Sequence, residues 1–460
     1  MTEVLPAAGV RFDARAQVIV IGAGACGLTA ALAARDRGQE VVVLERDRTP
    51  SGSTSLSSGF VPAAPTRYQS ALGIEDSAEL FLQDIERKTK GGGDMDLARL
   101  VVDASAETLE WLDERHGLEW TVLDDFLYPG HTRHRMHAVP EKTGAALMAR
   151  LLGAIEREGV TVATDRHVTG LYANGDRVCG VRAMRPDGEH DIISCNSVIL
   201  ACNGYGGNSE LVREHIPDMS DALYFGHAGN QGDAVLWGRE LGAATRHLSG
   251  YQGHGSVAHP HGILVTWALM MEGGIQVNAD GVRFSNEHEG YSEQAGAVLG
   301  QPGGVAWNVY DEWRHEIGMT FEDYRTACGA GAVTEAASLE ELAALCRLPV
   351  DALVSTVEEV QHFADTGVTD RFGRTFPAEQ KLESPWCAVK VTGALFHTQG
   401  GLVVDRMARV VSDRGTPIAG LYAGGGAACG VSGPAPWGYL SGNGLLTAMT
   451  LGRIAGLNAD

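Results

Sequence analysis

A glycine-rich segment near the start of the chain constrains the fold more than any other feature. Residues 18–46 read VIVIGAGACGLTAALAARDRGQEVVVLER, in which an apolar strand runs into Gly22, Gly24 and Gly27, and a small-residue helix leads to a second strand that ends at Glu45. The first glycine permits a tight turn, the second lets backbone amides approach a pyrophosphate, and the third lets helix and strand pack closely. The segment therefore predicts a complete dinucleotide-binding βαβ unit.

The same unit indicates how a dinucleotide is held. A pyrophosphate suits the N-terminus of the helix, where unpaired N–H groups and the helix macrodipole favour negative charge. Glu45 stands at the spacing that places a carboxylate on ribose hydroxyls. The following run, GSTSLSSGF at 52–60, consists of small and hydroxylated residues that suit a backbone wrapped closely around a ligand.

Composition bounds the class of protein. A chain of 460 residues is predicted to form two structural units, because single cores rarely grow beyond about 250–300 residues. The formal charge of −22 argues against nucleic acid and anionic membranes as partners. The eight cysteines show no CxxC spacing, so neither a metal site nor a disulfide framework is expected. The first residues contain acids and lack a cationic start, so we expect no signal peptide, no membrane insertion and a cytoplasmic protein.

Strand and glycine patterns recur late in the chain, which predicts a discontinuous nucleotide domain. SVILACNGYGG (197–207) resembles a buried strand that ends in a glycine turn, and LYAGGG (421–426) repeats the pattern before a final helix. Between them, the composition shifts to loops, histidines, tryptophans and short helices. We therefore predict an α/β fold: a Rossmann-like domain assembled from 1–245 and 379–460, with an inserted α+β cap domain at 246–378.

Six segments, in this order, resemble the fumarate reductase and succinate dehydrogenase flavoprotein superfamily, which includes the 3-ketosteroid dehydrogenases. They are the βαβ start, GSTSLSSGF, VILACNGYGGN, GGIQVNADGVRFSNE, FHTQGGLVVD and GLYAGGG. The resemblance implies an oxidoreductase acting on CH–CH groups, with FAD bound by the terminal parts and a mobile substrate cap in the middle. It implies FAD contacts at a set of residues spread over both terminal parts: Gly22, Gly24, Gly27, Glu45, Arg46, Ser53, Thr54, Ser58, Gly59, Val168, Asn203, Gly204, Gly425, Gly444, Leu445 and Leu446.

Two departures from the family bear on the cofactor. Succinate dehydrogenases attach their flavin through a histidine in the region of GSTSLSSGF, and this chain has none there, so we expect non-covalent FAD. Family members usually carry an acid after the late Ala-Gly pair, whereas this chain has Gly426, so one ribityl contact differs. The final helix, starting near Gly444, is expected to aim its positive N-terminal end at the flavin.

The middle of the chain departs from the fumarate reductases. Those enzymes clamp a dicarboxylate with arginines and use an arginine as the acid. In that family the catalytic arginine follows the RFxNE segment, and here RFSNEHEGY places Tyr291 there. The relay acid and base fall on Trp267 and Met270, and GVSGPAPWGYLSGNG holds no arginine. The resemblance therefore disfavours fumarate reduction.

The replacing residues are similar to those of the 3-ketosteroid dehydrogenases. By that resemblance Tyr291 is the base, Tyr128 in FLYPG is the phenol that tunes it, and Tyr439 with Gly442 binds the ketone oxygen. The run YLSG looks more like the 4-dehydrogenase branch, so Ser441 is expected to share the ketone-binding role.

Four further residues are candidates for substrate binding. His254 and His397 align with family histidines near the substrate and the flavin, and each is equally well explained as a buried histidine that satisfies backbone groups. Arg133 and Arg135, in a basic loop, suit an anionic substituent on the substrate, although a solvated basic loop is the simpler explanation.

The chemistry of ketone desaturation requires groups of these kinds. Two donors at the carbonyl oxygen acidify the α C–H, an oxyanion effect of about 3–4 kcal/mol per donor. A tyrosine at its reference pKa of about 10 is mostly protonated at neutral pH, so it must be tuned to act as a base. A flavin accepts the β hydride.

The sequence thus predicts an FAD-dependent dehydrogenase that introduces a double bond α,β to the carbonyl of a cyclic ketone, either a 3-ketosteroid or a smaller cyclohexanone such as an oxocyclohexanecarboxylate. One alternative is an ene-reductase that runs the reverse reaction. Another is a flavin-binding electron-transfer subunit without substrate chemistry. The electron acceptor, whether oxygen, a quinone or another molecule, is open, as are the ketone, the regiochemistry and the oligomeric state.

Overall fold

The structure is a computed structural model that describes residues 2–124 and 126–460. Its strands are β1 (Glu3–Pro6), β2 (Ala14–Arg15), β3 (Val18–Ile21), β4 (Val41–Leu44), β5 (Val61–Pro62), β6 (Thr121–Val122), β7 (Met136–Ala138), β8 (Thr161–Ala163), β9 (His167–Asn174), β10 (Arg177–Met184), β11 (His190–Ser194), β12 (Ser197–Leu200), β13 (Leu223–Tyr224), β14 (Thr245–Arg246), β15 (Tyr251–Ala258), β16 (Ile263–Leu264), β17 (Ile275–Val277), β18 (Val305–Asp311), β19 (Val333–Ala336), β20 (Trp386–Thr398), β21 (Gly401–Leu402), β22 (Arg409–Val411) and β23 (Pro417–Ala423).

The α-helices follow the same chain order. They are α1 (Ala25–Asp36), α2 (Gly52–Leu56), α3 (Arg67–Ala71), α4 (Ala78–Thr89), α5 (Met95–His116), α6 (Gly144–Arg157), α7 (Ser209–His215), α8 (Asp233–Leu241), α9 (Ala268–Met271), α10 (Tyr291–Leu299), α11 (Glu312–Met319), α12 (Glu322–Gly329), α13 (Leu339–Cys346), α14 (Val350–Thr366) and α15 (Asn443–Asn458). Among the helices of the described residues, none has the length and apolar character that a membrane crossing requires.

The chain divides into two compact units. The first comprises Met1–Pro217, Gly226–Tyr251 and His397–Asp460, and the second comprises Asp218–Phe225 and Gln252–Phe396. The inserted unit therefore extends beyond the predicted range 246–378 at its C-terminal end, because β20 is a member of its sheet. It also recruits a short segment before β14, because β13 pairs with β20.

The first unit is built on a parallel sheet that both ends of the chain supply. Its central strands run in the order β23, β12, β3, β4 and β8, and every neighbouring pair is parallel. The uncharged strands β3 and β12 are buried along their whole length, as expected for a sheet covered on both faces. Strand β10 pairs with β23 in parallel and continues the sheet through antiparallel pairing with β9 and β11.

Helices α1 and α15 pack with their backbones in contact. A Cβ atom added at Gly452 would lie 2.5 Å from the carbonyl oxygen of Cys26, and one at Gly456 would lie 2.2 Å from that of Ala30. Only glycine permits so close an approach. The C-terminal helix is thereby fixed against the helix that follows the glycine-rich turn.

The second unit is a sheet with helices around it, which agrees with the α+β architecture predicted for the cap domain. Its sheet has the order β16, β15, β20, β18 and β17, and β13 and β19 also pair with β20. Helix α14 alone spans 17 residues. Helix α10 lies directly on this sheet, because a Cβ atom at Gly393 would lie 2.3 Å from the carbonyl oxygen of Ala295 and one at Gly255 would lie 2.8 Å from Gln294.

Candidate active site

The glycine-rich turn after β3 leaves space on one side. A Cβ atom at Gly27 would lie 1.9 Å from the carbonyl oxygen of Gly22, and Gly22 itself has φ +102° and touches the end of β12 at Ala201. Gly24 differs from these two, because a Cβ atom there would meet only Thr54 Oγ1, at 3.4 Å. The protein thus packs tightly against two of the three glycines and leaves Gly24 open to a ligand.

The start of α1 offers backbone donors. Gly24 caps the helix without a side-chain hydrogen bond, and the first turn contains no acidic residue. The Ala25 N–H donates to Thr54 Oγ1 at 3.1 Å. The Glu45 carboxylate accepts from the N–H groups of Ala23 at 2.8 Å and Asp47 at 2.9 Å, so it lies beside the turn.

Hydrogen bonds link Ser53 in helix α2 to the loop that follows β12. Ser53 Oγ accepts from the amide groups of Asn203 at 3.1 Å and Asn230 at 2.9 Å. Asn203 has φ +64°. A Cβ atom at Gly426 would lie 2.2 Å from Asn203 Oδ1 and 2.9 Å from the Gly204 nitrogen, so a side chain at this position would require Asn203 to move.

The remaining predicted FAD contacts also lie in the first unit. Arg46 donates to the carbonyl oxygen of Gly229 at 2.7 Å. Ser58 is exposed, and its neighbour Ser57 makes the local hydrogen bonds, donating to the Thr54 carbonyl and accepting from Gly59. The others occupy tight or buried positions: Gly59 (against Thr143), Val168 on β9, Gly204 (against Thr398) and Gly425 (against Cys26).

The N-terminus of α15 carries the second set of backbone donors. Gly442, with φ +83°, begins the helix without a side-chain cap, and no acid lies in its first turn. The fully buried Asn443 side chain leaves its Oδ1 atom without a hydrogen-bond partner among the described residues. A Cβ atom at Gly444 would meet the His397 ring at 2.9 Å. Leu445 is partly buried and Leu446 is fully buried.

These features fit a flavin dinucleotide. The open side of Gly24, the uncapped N-termini of α1 and α15 and the unpartnered Asn443 Oδ1 are what a bound pyrophosphate and a polar ring system would satisfy. The segment 52–60 contains no histidine to form a covalent link.

The ketone-binding candidates of the first unit lie around the start of α15. Tyr439 is buried, and its ring meets that of His397 edge to face with centroids 5.6 Å apart. Burial lowers the pKa of His397 to about 4, so this histidine is neutral. Gln399 Nε2 lies 2.9 Å from His397 Nδ1, and Gln399 Oε1 accepts from Ser432 Oγ at 2.8 Å.

The loop that carries Tyr128 is fastened to the turn that carries Ser441. His131 Nε2 lies 2.9 Å from the carbonyl oxygen of Ser441, and burial lowers the pKa of His131 to about 4. The neutral ring therefore donates this hydrogen bond. A Cβ atom at Gly130 would lie 2.6 Å from Leu440. The ring of Tyr128 packs edge to face against Phe126 and Phe60.

The two candidate arginines of that loop both have partners within the protein. Arg135 is fully buried and pairs with Asp76 at 2.9 Å and Asp84 at 2.7 Å. Burial alone would raise the pKa of Asp84, but the Thr132 N–H and Arg135 hold it below its ordinary value. Arg133 is exposed and donates to backbone carbonyls of Glu75 and Thr132. The charge of Arg135 is thus already balanced within the protein.

In the second unit, Tyr291 is the first residue of α10 and its ring is stacked on His254. Their centroids lie 4.9 Å apart with planes inclined by 18°. Burial lowers the pKa of His254 to about 3, and its Nδ1 accepts from the Ser256 N–H at 3.1 Å. His254 is therefore neutral, with its hydrogen on Nε2.

Aromatic and apolar residues surround this pair where fumarate reductases hold their relay. Trp267 meets His254 edge to face at 5.7 Å, and Met270 is fully buried. The buried Arg283 and Arg374 both pair with Glu287, at 2.7 and 2.8 Å. Burial alone would raise the pKa of Glu287, but these arginines lower it to about 2. Asp370 also pairs with Arg283, at 2.6 Å, so two carboxylates compensate the two guanidinium charges within the protein.

Sequence reasoning missed Gln399, Ser432, Phe225 and Phe396. No local motif marks Ser432 or Phe225. Phe396 and Gln399 stand close to the candidate His397 in FHTQGG, and that proximity was the one available signal for them.

A dinucleotide-binding unit interrupted by an inserted unit, with uncapped helix ends at the nucleotide turn, defines a flavoprotein oxidoreductase. The model of the FAD binding domain family matches residues 17–445. A probable fumarate reductase of Shewanella frigidimarina is 30% identical over 96% of this chain and 74% of its own length. A 4-oxocyclohexanecarboxylate 2-dehydrogenase of Sinomonas cyclohexanicum is 27% identical over 89% of this chain and 87% of its own.

Among solved structures, a 3-ketosteroid-Δ4-(5α)-dehydrogenase of Rhodococcus jostii RHA1 in complex with 4-androstene-3,17-dione matches with a TM-score of 0.81 and 26% identity, over 100% of this chain and 99% of that one. The chain belongs to the FAD binding domain family, in the fumarate reductase and succinate dehydrogenase flavoprotein superfamily. It is an FAD-dependent oxidoreductase acting on CH–CH groups.

Proposed function

We propose that the protein is a dehydrogenase that introduces a carbon–carbon double bond α,β to the carbonyl of a cyclic ketone. The observation that carries this proposal is the pair formed by Tyr291 and neutral His254 at the position of the fumarate reductase arginine. A deprotonated phenol can remove a proton from carbon, but a phenol and a neutral imidazole cannot clamp two carboxylates as guanidinium forks do.

In the proposed reaction the protein supplies the base and the groups that stabilise the enolate. The α C–H bond breaks, and its proton passes to the phenolate oxygen of Tyr291. The family resemblance assigns to Tyr128 the role of the phenol that tunes this base. The electron pair left on carbon delocalises onto the ketone oxygen, where Tyr439 and either Ser441 or the Gly442 N–H donate hydrogen bonds. Each such donor contributes about 3–4 kcal/mol to the developing enolate. When bound, FAD would supply the acceptor for the β hydrogen, which leaves as hydride as the double bond forms.

The relatives support both substrate classes, the single-ring cyclohexanones and the larger 3-ketosteroids. One relative is named for a carboxylated cyclohexanone, and one similar structure holds a steroid dione. The compensated charge of Arg135 means that this residue adds no preference for an anionic substituent. The alternative of fumarate reduction rests on the relatives' names and on the retained histidines His254 and His397.

The substrate class is tested by a panel. We expect anaerobic mixing with cyclohexanones, with and without a carboxylate, and with 3-ketosteroids to bleach the flavin for at least one compound and to yield its enone. Chemically reduced enzyme should be reoxidised by fumarate at less than about one hundredth of the rate of a good enone, because no arginine replaces Tyr291. Stopped-flow absorbance and product analysis measure both. Fast fumarate turnover would establish the ene-reductase instead, and no reaction with either class would favour an electron-transfer subunit.

The mode of flavin attachment is tested separately. Because segment 52–60 holds no histidine, we expect acid precipitation to release all of the flavin as intact FAD into the supernatant. Absorbance and mass of the released flavin provide the measurement. Flavin retained on the precipitated polypeptide would contradict non-covalent binding.

A further inference from the structure

Four aromatic rings of the second unit stack in succession. Phe225 and Phe396 have centroids 4.9 Å apart at 17°, Phe396 and His254 lie 5.3 Å apart at 22°, and His254 and Tyr291 lie 4.9 Å apart at 18°. We call these four residues the aromatic ladder. The candidate base forms its last rung.

The sheet sets the spacing of the ladder. Phe225 directly follows β13, Phe396 lies on β20 and His254 lies on β15, and both β13 and β15 neighbour β20. Adjacent strands lie about 4.7–4.9 Å apart, which is close to the separation of the rings. The Phe225 N–H donates to the Leu395 carbonyl at 2.8 Å and so fixes the outer rung to the sheet.

The fourth rung comes from a helix held against the same strands. Helix α10 begins at Tyr291 and rests on β15 and β20 through the close contacts at Gly255 and Gly393. The Ser292 hydroxyl accepts from the Gly253 N–H at 3.0 Å, one residue before His254 in β15. The backbone of Tyr291 and the backbone beneath His254 are therefore joined.

His254 has little freedom within this arrangement. Its faces stack on Phe396 and Tyr291, its ring meets Trp267 edge to face, and its Nδ1 accepts from the Ser256 N–H. It is 5% exposed. A ring engaged in this way presents a fixed, neutral surface to the phenol of Tyr291.

We propose that the aromatic ladder positions Tyr291, and that His254 acts through its ring as a positioning residue for the base. This inference rests on the proposed function. A general base must lie within hydrogen-bond reach of the proton that it removes, and a displacement of about 1 Å can cost about 100-fold in rate. Several rotamers are accessible to a partly buried tyrosine at the first position of a helix. Stacking on the aromatic ladder stabilises the one that keeps the Tyr291 ring nearly parallel to the His254 ring.

Two substitutions separate the ring of His254 from its nitrogens. His254→Phe keeps a stacked ring and removes the polar atoms, whereas His254→Asn keeps a polar side chain and removes the ring. A positioning role requires the ring. A role as hydrogen-bond donor to the substrate requires a polar group.

The experiment uses the full chain, loaded with FAD and labelled with 3-fluorotyrosine. The resonance of Tyr291 is assigned by its absence in Tyr291→Phe. We expect His254→Phe to keep the ¹⁹F shift and line width of that resonance and to lower kcat much less than His254→Asn does. We expect His254→Asn to move the resonance toward that of an exposed fluorotyrosine and to lower kcat about 100-fold with little change in KM. His362→Asn, at an exposed histidine of α14, is the matched control.

Opposite results overturn the proposal. One contrary result is that both His254 variants raise KM equally while the ¹⁹F signal of Tyr291 stays unchanged in each. In that case His254 binds substrate and does not position the base. If no ketone is turned over by the wild type, the proposed function fails, and the ¹⁹F comparison still decides whether the ladder orients Tyr291. If His254→Asn does not load FAD, Phe396→Leu replaces it, with the same expected loss of order at Tyr291.

Discussion

Replacing Tyr291 by phenylalanine is expected to slow anaerobic flavin reduction by about 10²–10⁴-fold while FAD content and ketone binding stay close to those of the wild type. The change removes one oxygen atom, the proposed proton acceptor, and keeps the ring that stacks on His254. General-base contributions have this size. The rate of bleaching at saturating ketone, followed by stopped flow across pH, measures the effect.

Tyr439→Phe provides the contrast, because it removes a donor to the ketone oxygen and not the base. It should weaken ketone binding and rate together, since that hydrogen bond already forms in the ground state and strengthens in the enolate. Tyr172→Phe, on β9 against Phe12, is the control substitution and should change neither. A Tyr291→Phe enzyme that reduces its flavin at nearly the wild-type rate would refute the assignment of the base.

Gly24→Ala should weaken FAD binding about 100-fold, equivalent to about 2.8 kcal/mol, without lowering the unfolding temperature of the apoprotein. The backbone of Gly24 is extended, with φ −81° and ψ −175°, so alanine fits it. The added methyl group would meet only Thr54 Oγ1, at an ordinary distance of 3.4 Å. It would instead occupy the space that a pyrophosphate needs. Titration of apoprotein with FAD, monitored by flavin fluorescence, gives the affinity.

Two further glycines calibrate this result. Gly27→Ala should both unfold the protein at lower temperature and abolish FAD loading, because the new Cβ atom would lie 1.9 Å from the Gly22 carbonyl oxygen. Gly153→Ala, in the middle of α6, should change neither quantity, since its nearest neighbour would be Arg157 Nη1 at 3.5 Å. Wild-type affinity in Gly24→Ala would show that the pyrophosphate binds elsewhere.

The nucleotide-binding unit was predictable because its contacts are local. The sequence predicted strands at β3 and β4, with a helix between them, and the structure confirms all three elements. Glu45 lies beside the turn as its spacing indicates. The family motifs also indicated correctly that both ends of the chain build one parallel sheet. The family and FAD are likewise confirmed.

The second unit was less predictable because its sheet is assembled from distant, short strands. β13 and β17 contain two and three residues, too few for an alternating pattern to be visible. The end of this unit was placed too early for the same reason: β20 joins a sheet whose other strands lie far upstream. A basic loop also looked like a candidate anion site until Asp76 and Asp84 were found beside Arg135.

The sequence by itself determined the nucleotide fold, the cofactor and the exchange of the fumarate reductase arginine for Tyr291, because each depends on residue types at fixed local spacing. Only the tertiary structure decided that Gly426 packs against Asn203, that Arg135 is neutralised, and that Phe225, Phe396 and His254 stack behind Tyr291. These depend on which side chains distant strands bring within a few ångströms. Strand pairing across a sheet creates that proximity, and no local pattern encodes it.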